Sequence, residues 1–408
     1  MTNATAPIRV LTAVPLCDGH DSAISSINLE LIHHGVEVVY LGYNRSVRDI
    51  VRAAIQEDVR AIGISSYNGG HVEFFSAVLA GLRAEGAGDI GVFGGGGGTI
   101  TPRDAAVMQR RGVDRIFFPG TSLAEIVQYV KLRYGRARRG NRVNGRGGSA
   151  DRAVARLLTA VEEEPDLNPA RAIAHRPHNT RHTAGESKTS LVIGITGPGG
   201  AGKTTLIDEL VLRLIRSNAS LRIAILSHDP SVVGSGALLG DRAAMIHSQH
   251  DRVFMRSFAS RGQAGGVCAA TVPCLHILRD IPAHAGVPPF DVILVETVGV
   301  GQEAMSFAPD LVDGTVLVLS PDYGSRLQLQ KIAMLDVADI VVINKSDLSP
   351  AMTASAEVQR RLDVNARGQR LVTTCAKRHR DAGVDELFAM LWPGSRRCAS
   401  REQVAVFP

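Results

Sequence analysis

The chain has 408 residues, 45% of them hydrophobic, and a formal net charge of +5, which is enough apolar material for two cores of ordinary size. Seven cations (Lys131, Arg133, Arg136, Arg138, Arg139, Arg142, Arg146) stand together with no acid among them; subtracting those seven from +5 leaves −2, so the basic balance belongs to a connector and the flanking domains are not read as nucleic-acid binders. Five cysteines without CxxC spacing argue against a disulfide framework or a zinc knuckle, no leader-like segment opens the sequence, and no apolar run approaches the roughly twenty residues that span a bilayer; the expectation is a cytoplasmic protein with no membrane partner.

Residues 1–134 alternate short β-rich runs with amphipathic ones, the rhythm of βα units on a parallel sheet. Strands are expected over 8–14, 36–41, 61–65, 90–93 and 113–118. Ile24, Ile27, Leu31 and Ile32 recur at helical spacing between the first two, and Val47, Ile50, Val51, Ala54 and Ile55 repeat the pattern before the third. Five strands and five helices make a small doubly wound, flavodoxin-like domain. Ligands of such sheets bind beyond the carboxyl ends of the strands, where strand order reverses. The loops expected there hold Asp18-Gly19-His20-Asp21-Ser22, then Ser65-Ser66-Tyr67-Asn68-Gly69-Gly70-His71, then glycines 94–98. A histidine two residues after an aspartate can give one ring N–H to that carboxylate, leaving the other nitrogen a better metal ligand. The glycine run removes every side chain from its loop, so that something bulky can lie against the backbone.

Asp18-Gly19-His20, with Ser65 and Phe93-Gly94-Gly95 further on, resembles the cobalamin-binding domain of adenosylcobalamin-dependent mutases and methionine synthase, and the longer runs around Leu41 and Ser65 look most like the cobalamin domain of fused isobutyryl-CoA mutases. The resemblance implies that His20 is the lower cobalt ligand, that Asp18 supports it, and that Ser22, Ser65, Gly94 and Gly95 line the slot for the cofactor's nucleotide tail. Ala23 stands where the family pattern has Gly and Tyr67 where it has Leu, so the slot wall differs from that pattern.

Residues 135–188 read as a basic, self-repelling linker with one short helix around Ala153, Leu157 and Val161. His175, His178 and His182 lie in its polar part without the fixed geometry that a metal site needs.

Residues 189–408 open with an apolar run over 191–195, then Gly197-Pro198-Gly199-Gly200-Ala201-Gly202-Lys203-Thr204 and a helical run. Strand, glycine-rich turn and helix in this order make a phosphate cradle, with backbone N–H groups converging on an anion at a helix N-terminus. Gly197, Gly199, Gly200, Ala201, Gly202, Lys203, Thr204 and Thr205 are its candidates, Lys203 for the terminal phosphates and Thr204 for Mg²⁺. Further strands are expected over 221–226, 253–257, 291–295, 315–319 and 339–343. Asp229, Asp241 and Glu296 lie at or near strand ends, where an acid orients Mg²⁺ or its water. The run 339–343 delivers Asn344-Lys345-Ser346-Asp347. A carboxylate there accepts from the guanine N1–H and exocyclic amine, whereas adenine offers the wrong groups, so GTP is preferred over ATP. Asn344 would tie this loop to the phosphate loop, Lys345 would lie across the ring, and Cys375-Ala376 would supply a backbone contact to the guanine oxygen.

The runs 238–242, 296–302 and 335–339 resemble the GTPase chaperones of adenosylcobalamin-dependent acyl-CoA mutases, including the chaperone domain fused inside isobutyryl-CoA mutase. The resemblance implies an α/β P-loop GTPase with a mostly parallel sheet that gates cofactor loading, with switches near 229–242 and 296–303 and with Lys203 and Glu296 in the catalytic set. Gln302 either positions the attacking water or is purely structural. The fused mutases carry an acyl-CoA-binding barrel after this domain, and such a barrel needs about 250 residues. The expectation is therefore a homo-oligomeric cobalamin- and GTP/GDP-binding subunit that works with a separate barrel-bearing acyl-CoA mutase subunit; the alternatives are a stand-alone cofactor-transfer chaperone and a cobalamin sensor.

Overall fold

The computed structural model describes residues 7–16, 18, 22–135, 149–164, 190–232, 235–263, 265–280, 287–299, 307, 311–323 and 333–392. His20, Gln302, most of the basic connector and His175, His178 and His182 lie outside the described residues. Two parallel sheets organise the molecule. The first half contributes β1 (Arg9–Ala13), β2 (Glu37–Tyr40), β3 (Ala61–Ser65), β4 (Gly91–Gly95) and β5 (Arg115–Phe117), alternating with α1 (Ser22–His33), α2 (Val47–Gln56), α3 (His71–Ala84), α4 (Pro102–Arg111) and α5 (Leu123–Tyr134). Strand interiors such as Val10, Leu11, Val38, Ile62 and Val92 are fully buried, as expected of a sheet with helices on both faces. Capping boxes at Ser46–Asp49 and Thr101–Asp104 begin α2 and α4, each pairing a hydroxyl with an N3 backbone N–H and returning a carboxylate to the cap.

The second half is built on β6 (Leu191–Thr196), β7 (Ile223–Asp229), β9 (Val253–Ala259), β10 (Val292–Glu296), β11 (Gly314–Leu319), β12 (Ile340–Ile343) and β13 (Arg370–Thr373), in the spatial order β13-β12-β11-β6-β10-β7-β9 and parallel throughout. Its helices are α7 (Lys203–Ser217), α8 (Asp241–Ala244), α9 (Thr271–Asp280), α10 (Ala351–Asn365) and α11 (Ala382–Leu391). The short helix of the connector, α6 (Ala150–Glu163), packs on this sheet: Val154, Ala155, Leu158 and Val161 are fully exclosed from water in the cluster that holds Phe254, Phe258 and Phe290. At about 1.5–3 kcal/mol for each larger aliphatic side chain, that docking is a substantial part of the second core. Among the described residues no helix is long and apolar enough to cross a membrane.

The halves close each other's sheet edges, which the sequence pattern did not predict. Among the described residues the first sheet has six strands, not five: its order is β5-β4-β3-β1-β2-β8, and the sixth, β8 (Ala237–Leu239), comes from the second half and pairs parallel with β2. In return, side chains at the end of α2 cap the β9 edge. Arg52 and Gln56 donate to Val253 O (2.6 and 2.9 Å), and Glu57 accepts from Ser257 N (3.0 Å). These contacts satisfy edge-strand groups that would otherwise be left unpaired in a buried position.

Candidate functional site

The first sheet has the order β2-β1-β3-β4-β5 within its own half, so strand order reverses between β1 and β3. Asp18, buried in the loop after β1, accepts a hydrogen bond from the Tyr67 N–H in the loop after β3 and so ties the two sides of the switch point together. Beside them opens a cavity of about 260 Å³ lined by Ala23 and Ile27 of α1, Ser65, Tyr67, Gly94–Gly97 and Phe117. Ser22 begins α1 at the mouth of the β1 loop. Both positions that depart from the family pattern, Ala23 and Tyr67, are wall residues of this cavity. The glycines owe part of their necessity to protein neighbours: a Cβ at Gly96 would collide with the Ser66 carbonyl oxygen, and one at Gly95 would lie 2.8 Å from Phe117 O. The close packing of β4 against its neighbours therefore requires Gly94, Gly95 and Gly96 whether or not anything lies on them.

In the second half the glycine-rich loop follows the central strand β6 and leads into α7 with Lys203 as its first residue. Gly202 precedes it at φ +89°, and a Cβ there would collide with the Asn344 amide nitrogen. Gly197, Gly199, Gly200 and Ala201 form the turn; Ala201 is buried, and Thr205 is exposed on the first turn of the helix. Lys203 is buried, and its Nζ donates to the carbonyls of Gly197 (3.0 Å) and Pro198 (3.2 Å). Thr204 Oγ1 donates to Glu296 Oε1 (2.8 Å) at the end of β10 and lies 3.5 Å from Asp241 Oδ1; Ser227 Oγ donates to Asp241 and lies 3.4 Å from Glu296 Oε2. Asp229, at the end of β7, keeps a buried carboxylate oxygen with no hydrogen-bond partner among the described residues.

This crowding controls the charge of the site. Burial and the Asp241 carboxylate push Asp229 up to about 9 and Glu296 up to about 8. Burial raises Asp241 too, against the Ser227 hydrogen bond and the Lys203 charge, and it lowers Lys203 against the pull of Glu296 and Asp241. Carboxyls held above their ordinary range, with a hydroxyl among them and an orphaned buried oxygen beside them, are a donor set short of a cation. Among the described residues no three His, Cys, Asp or Glu side chains are poised as a closed metal nest. Mg²⁺ takes few protein ligands and completes its shell with phosphate and water, so Thr204 and the acids around it are the residues that could hold it.

The third part of the site follows β12. Asn344 Nδ2 donates to Ala201 O (3.0 Å) in the glycine loop, while its Oδ1 accepts from Thr374 Oγ1 and Ala376 N, both at 3.0 Å. One buried amide thus joins three loops. Lys345 is left-handed at φ +58°. Asp347 accepts from Cys375 Sγ (3.1 Å) and from Lys377 Nζ; these two contacts, Lys377 foremost, hold it at about 2. A firmly ionised, pre-aimed carboxylate is what recognition of the guanine N–H groups requires.

Two kinds of residue escaped the sequence reading. Ser227 bridges two of the acids, and His228 beside it is fixed between Glu296 O (2.7 Å) and Thr271 Oγ1 (2.8 Å), with burial lowering it to about 4. The Ser-His-Asp run at a strand end was the available signal. The others are Glu57, Arg242 and Glu162, whose charged partners lie more than 90 positions away in sequence; no local pattern marks these pairings.

Comparison with known proteins assigns each half to a family. The family described as "Methylmalonyl Co-A mutase-associated GTPase MeaB" matches residues 154–392, and the "B12 binding domain" family matches residues 8–128. Proteins named fused isobutyryl-CoA mutase are similar over nearly the whole chain. That of Cupriavidus metallidurans is 39% identical over 93% of this chain and 35% of its own length, and that of Geobacillus kaustophilus is 36% identical over 94% and 36%. The Nocardia farcinica protein of the same name is 38% identical over 87% and 32%. The chain thus spans about a third of the length of these curated relatives. With a guanine-nucleotide loop system at residues that the larger match covers and a cobalamin fold ahead of it, the chain belongs to the methylmalonyl-CoA mutase-associated GTPase family MeaB and carries a B12-binding domain on its N-terminal side.

Proposed function

We propose that this protein is a GTP-hydrolysing carrier of adenosylcobalamin that works with an acyl-CoA mutase barrel on a partner chain, within a homo-oligomeric assembly in the cytoplasm. The observation that supports the reading most strongly is the shared strand: β8 is the sixth strand of the cobalamin-domain sheet and, through Gly240, leads directly into Asp241 at the nucleotide site. A phosphate-dependent movement of Asp241 would therefore be felt by the cofactor-binding half.

The roles follow from chemistry and position. Backbone N–H groups of the glycine loop and Lys203 would bind the phosphates, Thr204 with Asp229, Asp241 and Glu296 would hold Mg²⁺, and Asp347 would read the base. Magnesium, when bound, offsets the charge that develops on the transferring phosphoryl group. Lys203 must leave the Gly197 and Pro198 carbonyls to reach the phosphates, and the acids must release protons as the cation arrives. Gln302, outside the described residues, is assigned the orientation of the attacking water. In the other half, His20 is assigned to the cobalt, Asp18 to the loop that carries it, and Ser22, Ser65, Gly94 and Gly95 to the tail slot. Adenosylcobalamin, when bound, supplies the radical chemistry of a carbon-skeleton rearrangement; the chain's part is to hold and orient it and to present it to the barrel.

Titration of adenosylcobalamin into the full chain tests the cofactor assignment. The absorption change on binding is expected in the wild type and lost in His20→Ala, and identical spectra would remove the histidine from the cobalt. Mg²⁺-dependent GTP hydrolysis by the same preparation tests the other half. Equal affinity for a barrel-bearing partner with GTP, GDP and no nucleotide would overturn the gating role.

A further inference from the structure

The segment that carries Asp241 is gripped by the cobalamin-domain half on both sides. Before it, β8 pairs with β2 from Glu37 opposite Ala237 to Val39 opposite Leu239. After it comes Arg242, with no exposure to solvent. Its Nε donates to Glu57 Oε1 (3.0 Å) and its Nη1 to Gln56 Oε1 (3.1 Å), both at the end of α2, while Nη2 donates to Met255 O. Glu57 is equally buried and is itself fixed by the backbone and hydroxyl of Ser257, both at 3.0 Å. One residue further, Ala243 O accepts from Arg45 Nη2 (3.0 Å); the Arg45 N–H in turn donates to Val14 O (3.0 Å), and Arg45 pairs with Pro15, at the start of the loop that leads to Asp18.

A planar guanidinium bound on all sides leaves its own backbone little freedom, and Asp241 is the adjacent residue. Its carboxylate meets Thr204 and Ser227. We propose that Glu57, a residue of the cobalamin-binding half, is a positioning residue for the metal end of the nucleotide site: through Arg242 it sets Asp241 against Thr204 and Glu296. The inference rests on the reading that these groups hold Mg²⁺ with GTP. It makes the GTPase complete only when the cobalamin half is docked, and linkage then requires that nucleotide with Mg²⁺ favour the docked arrangement by the same factor.

The test uses the full chain as wild type, Glu57→Gln, Glu57→Asp and the double variant Glu57→Leu with Arg242→Met, which removes both charges together and so avoids an unpaired buried cation. The readouts are the Mg²⁺ concentration for half-maximal GTP hydrolysis, kcat at saturating Mg²⁺, and affinity for a fluorescent GDP without metal. Glu57→Gln and the double variant are expected to raise the Mg²⁺ midpoint about tenfold, with metal-free GDP affinity unchanged within about twofold and Glu57→Asp in between. A folded double variant whose Mg²⁺ midpoint stays at the wild-type value overturns the proposal, as does a parallel loss of GDP affinity and kcat with the midpoint unmoved. If Glu57→Gln does not fold, the double variant decides. A wild type without Mg²⁺-dependent hydrolysis would sink the nucleotide reading itself, and that outcome is distinct because it needs no variant.

Discussion

Glu162 gives the sharpest test of how the halves are held together. It lies at the end of α6 and takes Arg9 Nη2 from β1 (2.7 Å), Arg256 Nη2 from β9 (2.8 Å) and Arg261 Nη2 (2.8 Å), so one carboxylate joins the two sheets and the connector helix. Arg9 also pairs with Glu37 (2.8 Å), and burial of Arg256 is nearly complete. Burial alone would raise Glu162, but Arg9 and Arg256 overcome it and hold the group at about 2 instead of 4.5. At about 1.4 kcal/mol per tenfold change, that difference corresponds to about 3 kcal/mol at neutral pH, in the range expected when one partner of a buried ion cluster is removed. With the joined halves of this 408-residue chain unfolding as one unit, Glu162→Gln should therefore lower the melting temperature by roughly 3–4 °C. Its neighbour Glu163, half exposed and 3.4 Å from Arg60, is the internal control: Glu163→Gln should cost less than about 1 kcal/mol. The sign with pH follows from a folded pKa below the ordinary one. The stabilisation is complete above about pH 5 and is lost as pH falls toward 2, so the gap between wild type and Glu162→Gln should close with acid. Thermal or urea unfolding read by circular dichroism measures it. If Glu162→Gln loses no more stability than Glu163→Gln, the buried cluster is not what joins the halves.

Further outcomes follow from the two sites. In the cobalamin slot, Gly96→Ala must push the β4 loop off the Ser66 carbonyl and is expected to weaken cobalamin binding about tenfold or more, whereas Gly69→Ala, with nothing within 4 Å of the new methyl, should leave it unchanged by spectral titration. Asp347→Asn should reduce GDP affinity by at least about a hundredfold, because an amide cannot accept both guanine N–H groups, and xanthosine diphosphate should recover part of the loss. Asp229 and Glu296 stay protonated up to about 9 and 8 in the metal-free protein. Between the ordinary carboxylate range and those values the folded chain binds more protons than the unfolded one, so metal-free stability should fall as pH rises from 6 to 9. Mg²⁺ with GDP should reverse that slope and release protons, which calorimetry in buffers of different ionisation enthalpy would detect; a stability profile flat with pH in the absence of metal would refute the raised carboxyls.

The local elements were legible because they are written locally. Apolar runs bounded by turn residues marked most strands of both sheets to within a few residues, β8 and β13 excepted, and the glycine-rich loop and Asn-Lys-x-Asp run fall at the ends of β6 and β12, since each needs only neighbouring backbone to take shape. Helix starts such as Ser46 and Thr101 are local in the same way, each a cap hydroxyl and an N3 acid within four residues. The connector helix was legible as a helix, but not as part of a core: Val154, Leu158 and Val161 have a partner only once β7 and β9 exist.

Spacing within some twenty residues is thus enough to mark most strands of two parallel sheets, the helices between the first strands, the helix after the glycine-rich loop, and the phosphate-cradle and Asn-Lys-x-Asp patterns. The pairing of β8 with the first sheet, the meeting of Glu57 and Arg242, the three arginines on Glu162 and the Asp229 oxygen without a hydrogen-bond partner among the described residues appear only in the folded chain. Those pairings depend on burial and on partners tens to hundreds of positions away, and a charged residue reads the same in sequence whether it ends in solvent or in the interior. The desolvation that makes such a group costly alone and useful when paired comes into being only when the halves pack.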